Sequence, residues 1–216
     1  MSPALREYLL RCHTAPDPVT ASLVERTAGL GDAAVMAVPV EQVALLTMLA
    51  RLVGARTALD IGTFTGLSAL AIARGLVPGG QVVTCDVTDA WAELAREHWA
   101  RAGMSGRIDF QVAPADAVLA ALPSGTVVDF AFLDAPKDGY AHWYERLVPM
   151  LRPGGLLVAD NVLLNGYVLA PELAPEGIER RSAESLRAFN AAVAADDRMD
   201  VVMLPFADGL TIARRR

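Results

Sequence analysis

Several short apolar runs in this sequence close on residues that carry chemistry. Leu133-Asp134-Ala135-Pro136-Lys137 ends one run and Asp160-Asn161 ends another. Two carboxylates and an amide oxygen gathered in one place are hard ligands, suited to Mg²⁺, Mn²⁺ or Ca²⁺ and not to a thiol-seeking metal. Each residue alone has a plainer reading. An Asp at a strand end caps the following helix, Asn161 turns the chain, and Lys137 is a solvated loop charge. At the ends of neighbouring strands, Asp134, Lys137, Asp160 and Asn161 share one crevice, and the group is more specific than its members. His13, His98 and His142 lack the spacing of zinc ligands.

A second constellation lies earlier. Ala58-Leu59-Asp60-Ile61-Gly62-Thr63-Phe64-Thr65-Gly66 ends a strand and opens a helix. Glycine permits φ > 0 and close backbone approach to a ligand, and the helix start offers free N–H groups. The pattern is D-x-G-x-x-x-G. It lacks the central glycine that lets a pyrophosphate lie on the backbone, which argues against NAD or FAD. Asp86 ends the next apolar run, 20 residues after Gly66. A carboxylate there accepts both hydroxyls of a ribose. An ordinary tight turn explains the glycines alone; with Asp86 the pair points to a nucleoside ligand.

These residues need a scaffold that brings strand ends together. The spacing predicts helices over about 4–12, 19–30 and 39–54, the last with Val43, Leu46, Ala50 and Val53 on one face. From residue 56, β-rich runs at 57–61, 81–86, 108–112, 126–133 and 155–159 alternate with helical segments at about 66–76, 89–102, 114–122 and 140–151. That alternation implies an α/β fold of parallel strands and right-handed crossovers. Asp129, inside its run, reads as a strand-entry residue. After a helix at about 179–196, two β runs flank Phe206-Ala207-Asp208-Gly209, which reads as a terminal hairpin. One domain over 1–216 is expected, with N-terminal helices in 1–54 and the core in 55–216.

Composition narrows the classes. Of 216 residues, 53% are hydrophobic and 20% charged, enough for a large core. A net charge of −6 speaks against nucleic acid, which needs a basic surface. The sequence suggests no apolar run near the roughly 18 residues of a membrane span. Arg6 and Glu7 stand where a signal peptide would be apolar, so a cytoplasmic protein is expected. Cys12 and Cys85 cannot form a disulfide framework, and Cys85 reads as buried filler.

At this point the chain resembles the cation-dependent, S-adenosylmethionine (SAM) using O-methyltransferases of the catechol and caffeoyl-CoA type. The likeness runs from about Met36 to the C-terminus, on ALDIGTFTGLSAL, LDAPKDGYAHWYE, LRPGGLLVADNVL, RAFNAAVAADDR and LPFADGLTIARR. It implies a Rossmann-like SAM-methyltransferase fold, a seven-stranded, mostly parallel sheet with a C-terminal antiparallel hairpin and helices on both faces. It implies metal ligands at Asp134, Asp160 and Asn161 and a general base at Lys137. The implied SAM site comprises Met36, Asp60, Gly62, Thr63, Gly66, Ser68, ribose-binding Asp86, Ala115 near the adenine, and Asp134. Tyr140, Trp143 and Tyr144 take the family's aromatic positions, or pack a helix on the sheet. Pro136, Leu67 and Val40-Glu41 depart from the usual pattern and bear on which acceptor is used. Asp116 approaches the adenine or caps its helix.

The implied reaction methylates a hydroxyl of a catechol-like aromatic small molecule, in a homodimer, with Lys137 as base or as stabiliser of the anion. The stretch 163–178 reads as a lid, or as a connector on a partner subunit. Arg180, Arg181 and Arg187 read as a solvated helix face more than as a site for an anionic tail. A metal-independent methyltransferase and a non-catalytic SAM-binding protein are the alternatives.

Overall fold

The computed structural model describes residues 3–216. Three helices lead: α1 (Pro3–Cys12), α2 (Pro18–Ala28) and α3 (Val40–Leu52). Asp17 starts α2 by accepting from the amides of Val19 and Thr20, the usual service of an N-cap carboxylate. Strands and helices then alternate: β1 (Thr57–Ile61), α4 (Leu67–Gly75), β2 (Gln81–Asp86), α5 (Ala92–Arg101), β3 (Ile108–Val112), α6 (Ala115–Ala121), β4 (Val128–Leu133), α7 (Tyr140–Leu147) and β5 (Leu151–Asp160). Helix α8 (Ile178–Ala194) and the strands β6 (Met199–Leu204) and β7 (Leu210–Arg215) finish the chain.

The seven strands form one sheet in the order β3-β2-β1-β4-β5-β7-β6. β7 runs antiparallel between β5 and β6; the pairs among β1 to β5 are parallel. Successive side chains alternate faces, and the two faces carry separate cores. Leu59, Ile61, Leu133, Leu157 and Ala159 pack with Val118, Leu147, Leu186 and Phe189 from α6, α7 and α8. Ala58, Phe130, Phe132 and Val158 pack with Leu46, Leu70, Ile72 and Trp99 from α3, α4 and α5. Both phenylalanines are fully buried, each worth roughly 2–3 kcal/mol of apolar burial.

Register places the chemistry. Ile61 pairs with Cys85 and Leu133, and Leu133 with Ala159. The next residues on the four central strands, Gly62, Asp86, Asp134 and Asp160, therefore leave the sheet at one level. β1 and β4 come so close there that a Cβ on Gly62, whose φ is 105°, would lie 1.8 Å from the Asp134 carbonyl oxygen.

Several expectations are refined. β5 begins at Leu151, before its expected start, because the chain pairs Val128 with Leu151 and then shifts register before Phe130. Asp129 does more than enter a strand. Its carboxylate accepts from the amides of Arg56 and Thr57 at 2.8 and 2.9 Å and from Arg152 at 2.6 Å. The hairpin closes with Leu204 opposite Leu210, and the stretch expected as a loop at 163–178 holds short 3₁₀ turns within Leu164–Leu169, kinked at Asn165 and Gly166, and at Pro171–Leu173. Cys85 is buried, and burial pushes its thiol up to about 12.

One expectation is corrected. Gly31–Leu52 spans 22 residues and holds an 18-residue window of mean hydropathy 1.8, which is apolar and long enough to cross a membrane by length and composition. It escapes notice in the sequence because Asp32, Glu41 and Arg51 punctuate it. The segment breaks at 37–39. Val43, Leu46 and Ala50 are core residues, while Val35, Met36, Met48 and Leu52 are exposed.

Replacing Gly62 with Ala forces β1 and β4 apart at the functional edge. A loss of more than about 3 kcal/mol in urea unfolding is expected; an unchanged midpoint would show that the close approach is dispensable.

Candidate active site

The glycine turn after β1 is built around two carboxylates. Asp86 holds it from β2: its Oδ2 accepts from the amides of Thr63 at 3.2 Å and Phe64 at 2.9 Å. Phe64 keeps a left-handed φ of 46° and meets Trp91 edge to face at 4.7 Å. Asp60 lies beneath, fully buried. Ser68 and Thr84 donate to its Oδ2 at 3.1 and 2.8 Å, and Thr63 pairs with Thr84 at 2.6 Å. Burial pushes the Asp60 carboxyl up to about 7; Thr84 and Ser68 oppose this, and Asp134 and Asp86 add to it. Its Oδ1 is buried with no partner. An unpaired carboxylate oxygen beneath a glycine turn suits a cationic ligand group, and the amino group and sulfonium of SAM are of that kind.

The turn is also gripped from outside. Trp99 on α5 donates its indole N–H to the Gly66 carbonyl at 3.0 Å. Thr27 on α2 bonds Thr65 at 2.9 Å within the interior. Ala115 is buried at the start of α6, just past β3. Met36 ends the 3₁₀ turn Gly31–Met36 and is half exposed. Asp116 lies in the first turn of α6 without a capping hydrogen bond; it accepts from His142 at 2.7 Å and Arg146 at 2.6 Å on α7.

The second half of the site stands at the ends of β4 and β5. The Lys137 ammonium donates to Asp134 Oδ1 at 2.8 Å, Asn161 Oδ1 at 2.6 Å and the Tyr140 hydroxyl at 2.8 Å. Asp160 is almost fully buried. Burial, with the nearby Asp134 carboxylate, holds it above the usual carboxylate range, against hydrogen bonds from Gln42 and the Asn161 amide. Tyr140 is fully buried and reaches the carbonyls of Leu133 at 3.1 Å and Asp160 at 3.0 Å. It therefore ties α7 to both strand ends as well as packing on Phe189. Tyr144 packs on Phe189 too and donates to Asp196, and Trp143 lies beside Gly139.

Asp134, Asp160 and Asn161 thus converge, and the donor set is hard oxygen throughout. Among the described residues no group of three or more His, Cys, Asp or Glu is placed to hold a metal ion, so any cation here relies on two carboxylates and one amide. The Lys137 ammonium against Asp134 and Asn161 is a stand-in for such a charge, and the set fits a hard divalent ion with open positions.

Gln42 went unrecognised in the sequence. Its amide donates to Asp160 Oδ2 at 2.5 Å across 118 residues. A wholly buried glutamine on the apolar face of α3 is the only local sign of that role. Arg180 and Arg187 line an open depression with Glu172 and Glu184, and Arg180 bonds the carbonyls of Glu172 and Ala174. Arg180 also pairs with Glu176, and Arg187 shares the depression with the two glutamates.

A family profile described as O-methyltransferase matches residues 13–216. The chain belongs to the O-methyltransferase family. It is 40% identical over 175 residues to caffeoyl-CoA O-methyltransferase 2 of Zea mays, covering 79% of this chain and 66% of that protein. It is 42% identical over 177 residues to catechol O-methyltransferase domain-containing protein 1 of Mus musculus, covering 80% and 65%. The chain thus spans about two thirds of the length of these two relatives. Among solved O-methyltransferases, that of Bacillus cereus in complex with SAH superposes with a TM-score of 0.86 at 26% identity, over 99% of this chain and 97% of that one. TomG of Streptomyces achromogenes, involved in tomaymycin synthesis and in complex with SAM, gives 0.85 at 28% identity, over 98% and 96%.

Asp60 imposes a pH dependence on stability. Its folded pKa of about 7 exceeds the ordinary 3.8, so between those values the folded state keeps a proton that the unfolded chain releases. Stability is penalised as pH rises through that window, by roughly 4 kcal/mol in total. Asp60→Asn, compared with wild type by urea unfolding at pH 4 and pH 7.5, should gain relative stability at the higher pH. Equal differences at both pH values would refute the buried, uncompensated carboxylate.

Proposed function

We propose that this chain is a SAM-dependent, divalent-metal-dependent O-methyltransferase acting on a vicinal dihydroxy aromatic small molecule. The reading is carried by one observation: Asp134, Lys137, Asp160 and Asn161 converge at the sheet edge that also bears the Asp60–Gly66 turn and Asp86. SAM when bound supplies an electrophilic methyl group, and a divalent ion supplies the positive charge that lowers a phenol's pKa from about 10.

The chain's own residues do the rest. Asp86 spends Oδ2 on the turn and keeps Oδ1, whose one amide contact, from Thr88, is long at 3.3 Å, for ribose hydroxyls. Asp60 offers its unpaired Oδ1 to the cationic end of the cofactor. Asp134, Asp160 and Asn161 present oxygens for the ion, with Gln42 fixing the Asp160 carboxylate. Lys137, anchored by Tyr140, sets three N–H donors in the same crevice. Three acceptors around one amine suit the charged form, which stabilises an oxygen anion. The related relatives named for caffeoyl-CoA and catechol chemistry support the acceptor class.

A second reading has support in the same geometry. Lys137 already neutralises Asp134 and occupies the Asn161 amide oxygen, as it would in a metal-independent methyltransferase of this fold.

Methyl transfer from labelled SAM to a panel of catechols, with Mg²⁺ in one arm and EDTA in the other, separates the two. Transfer only with Mg²⁺ is expected; equal transfer in both arms would favour the metal-independent enzyme, and none in either would contradict both. Asp160→Ala should lower Mg²⁺-supported turnover at least 100-fold while the SAM dissociation constant stays within about threefold. Asp86→Asn, which keeps an oxygen for the turn amides, should weaken SAM binding about tenfold or more by calorimetry; unchanged affinity would reject the ribose role.

A further inference from the structure

The chain leaves β5 through an unusual conformation. Asn161, Leu164 and Asn165 take left-handed φ values of 55°, 43° and 52°, and Gly166 follows at 84°. Side-chain-bearing residues seldom hold this conformation unless the surroundings impose it. The surroundings here are the tip of the β6–β7 hairpin. The Val162 amide donates to the Gly209 carbonyl at 3.1 Å, and the Leu163 amide to the Asp208 carbonyl at 2.9 Å. The Asn165 amide donates to Asp208 Oδ1 at 2.5 Å. Gly209, at φ 89°, is pressed so close that a Cβ on it would lie 2.4 Å from Leu163 Cγ.

The clamped segment borders the reactive crevice. Its first residue, Asn161, accepts from Lys137, and Asn165 is exposed. Asp208 itself is half-buried and close enough to Lys137 for their charges to interact. Among the described residues the other hydrogen bonds between the hairpin tip and this segment are backbone to backbone; the Asp208 carboxylate is the side chain that hydrogen-bonds Asn165.

We propose that Asp208 is a positioning residue for the acceptor side of the site: its carboxylate pins Asn165 and so holds the wall Leu163–Gly166 against Asn161 and Lys137. The inference rests on the methyl-transfer reading. It assigns to the hairpin tip a part in acceptor binding that is separate from the SAM turn, which lies on the other side of β4.

The test compares Asp208→Ala with Asp208→Asn in the full chain, using a catechol that the wild type methylates. Asp208→Ala is expected to raise KM for the catechol at least tenfold, with kcat within about threefold and the SAM dissociation constant within twofold. Asp208→Asn, whose amide oxygen accepts the same N–H, is expected to restore KM to within about threefold of wild type. Amide hydrogen exchange over residues 163–166, read by mass spectrometry, should quicken at least tenfold in Asp208→Ala and not in Asp208→Asn. An unchanged KM in Asp208→Ala overturns the proposal. So does equal damage in both variants, which would make the charge and not the hydrogen bond responsible. A wild-type chain inactive on every catechol sinks the methyl-transfer reading and the acceptor role with it, while the exchange experiment still decides whether the clamp exists.

Discussion

Asp134 and Asp160 leave adjacent strands side by side, in a place with little water. Burial raises a carboxyl's pKa, and a like charge so close raises it further. Asp160 shows both effects. Such a pair persists only where donors and positive charge surround it. Here the donors come from far apart in the chain: the Lys137 ammonium from the turn after β4, the Gln42 amide from α3, and the Asn161 amide from the turn after β5. Tyr140 then anchors Lys137 from α7. Much of what surrounds this edge can be understood as compensation for two neighbouring carboxylates, and a site with that electrostatic demand is also a site that attracts a cation.

The cofactor side solves the opposite problem. A side chain is excluded at Gly62 by the Asp134 carbonyl and at Gly66 by the Trp99 ring, and the weakened turn needs support from elsewhere. Asp86, Trp99 and Thr27 provide it from β2, α5 and α2. Individually such bonds contribute about 0.5–1.5 kcal/mol. Collectively they set the turn before a ligand arrives, which lowers the ordering cost of binding. The N-terminal helices thus help to build the site: α2 supports the turn and α3 supports a proposed metal ligand.

Much of this was legible in the sequence because it is local. Strand–helix alternation, the glycine turn, and Asp86, Asp134 and Asp160 at strand ends follow from patterns a few residues long, and parallel register converts strand ends into one edge. What escaped depends on contacts between distant segments. Gln42 meets Asp160, Asp129 meets Arg152 and the start of β1, and Asp208 meets Asn165; no periodicity announces such pairs. The partners of Asp116 were hidden for the same reason, since they lie on α7. The early start of β5 was hidden by Pro153 and Gly154, residues that normally argue against a strand.

The central claim is that Asp134, Asp160 and Asn161 form a divalent-cation site beside the SAM turn. The most direct measurement is a crystal structure of the chain grown with Mn²⁺ and SAM, with anomalous data collected at the manganese edge. The account predicts a single strong anomalous peak in coordination contact with oxygens of all three residues, and Lys137 displaced from at least one of its present acceptors. A map with no peak there, and the Lys137 ammonium still lodged between Asp134 and Asn161, would contradict it.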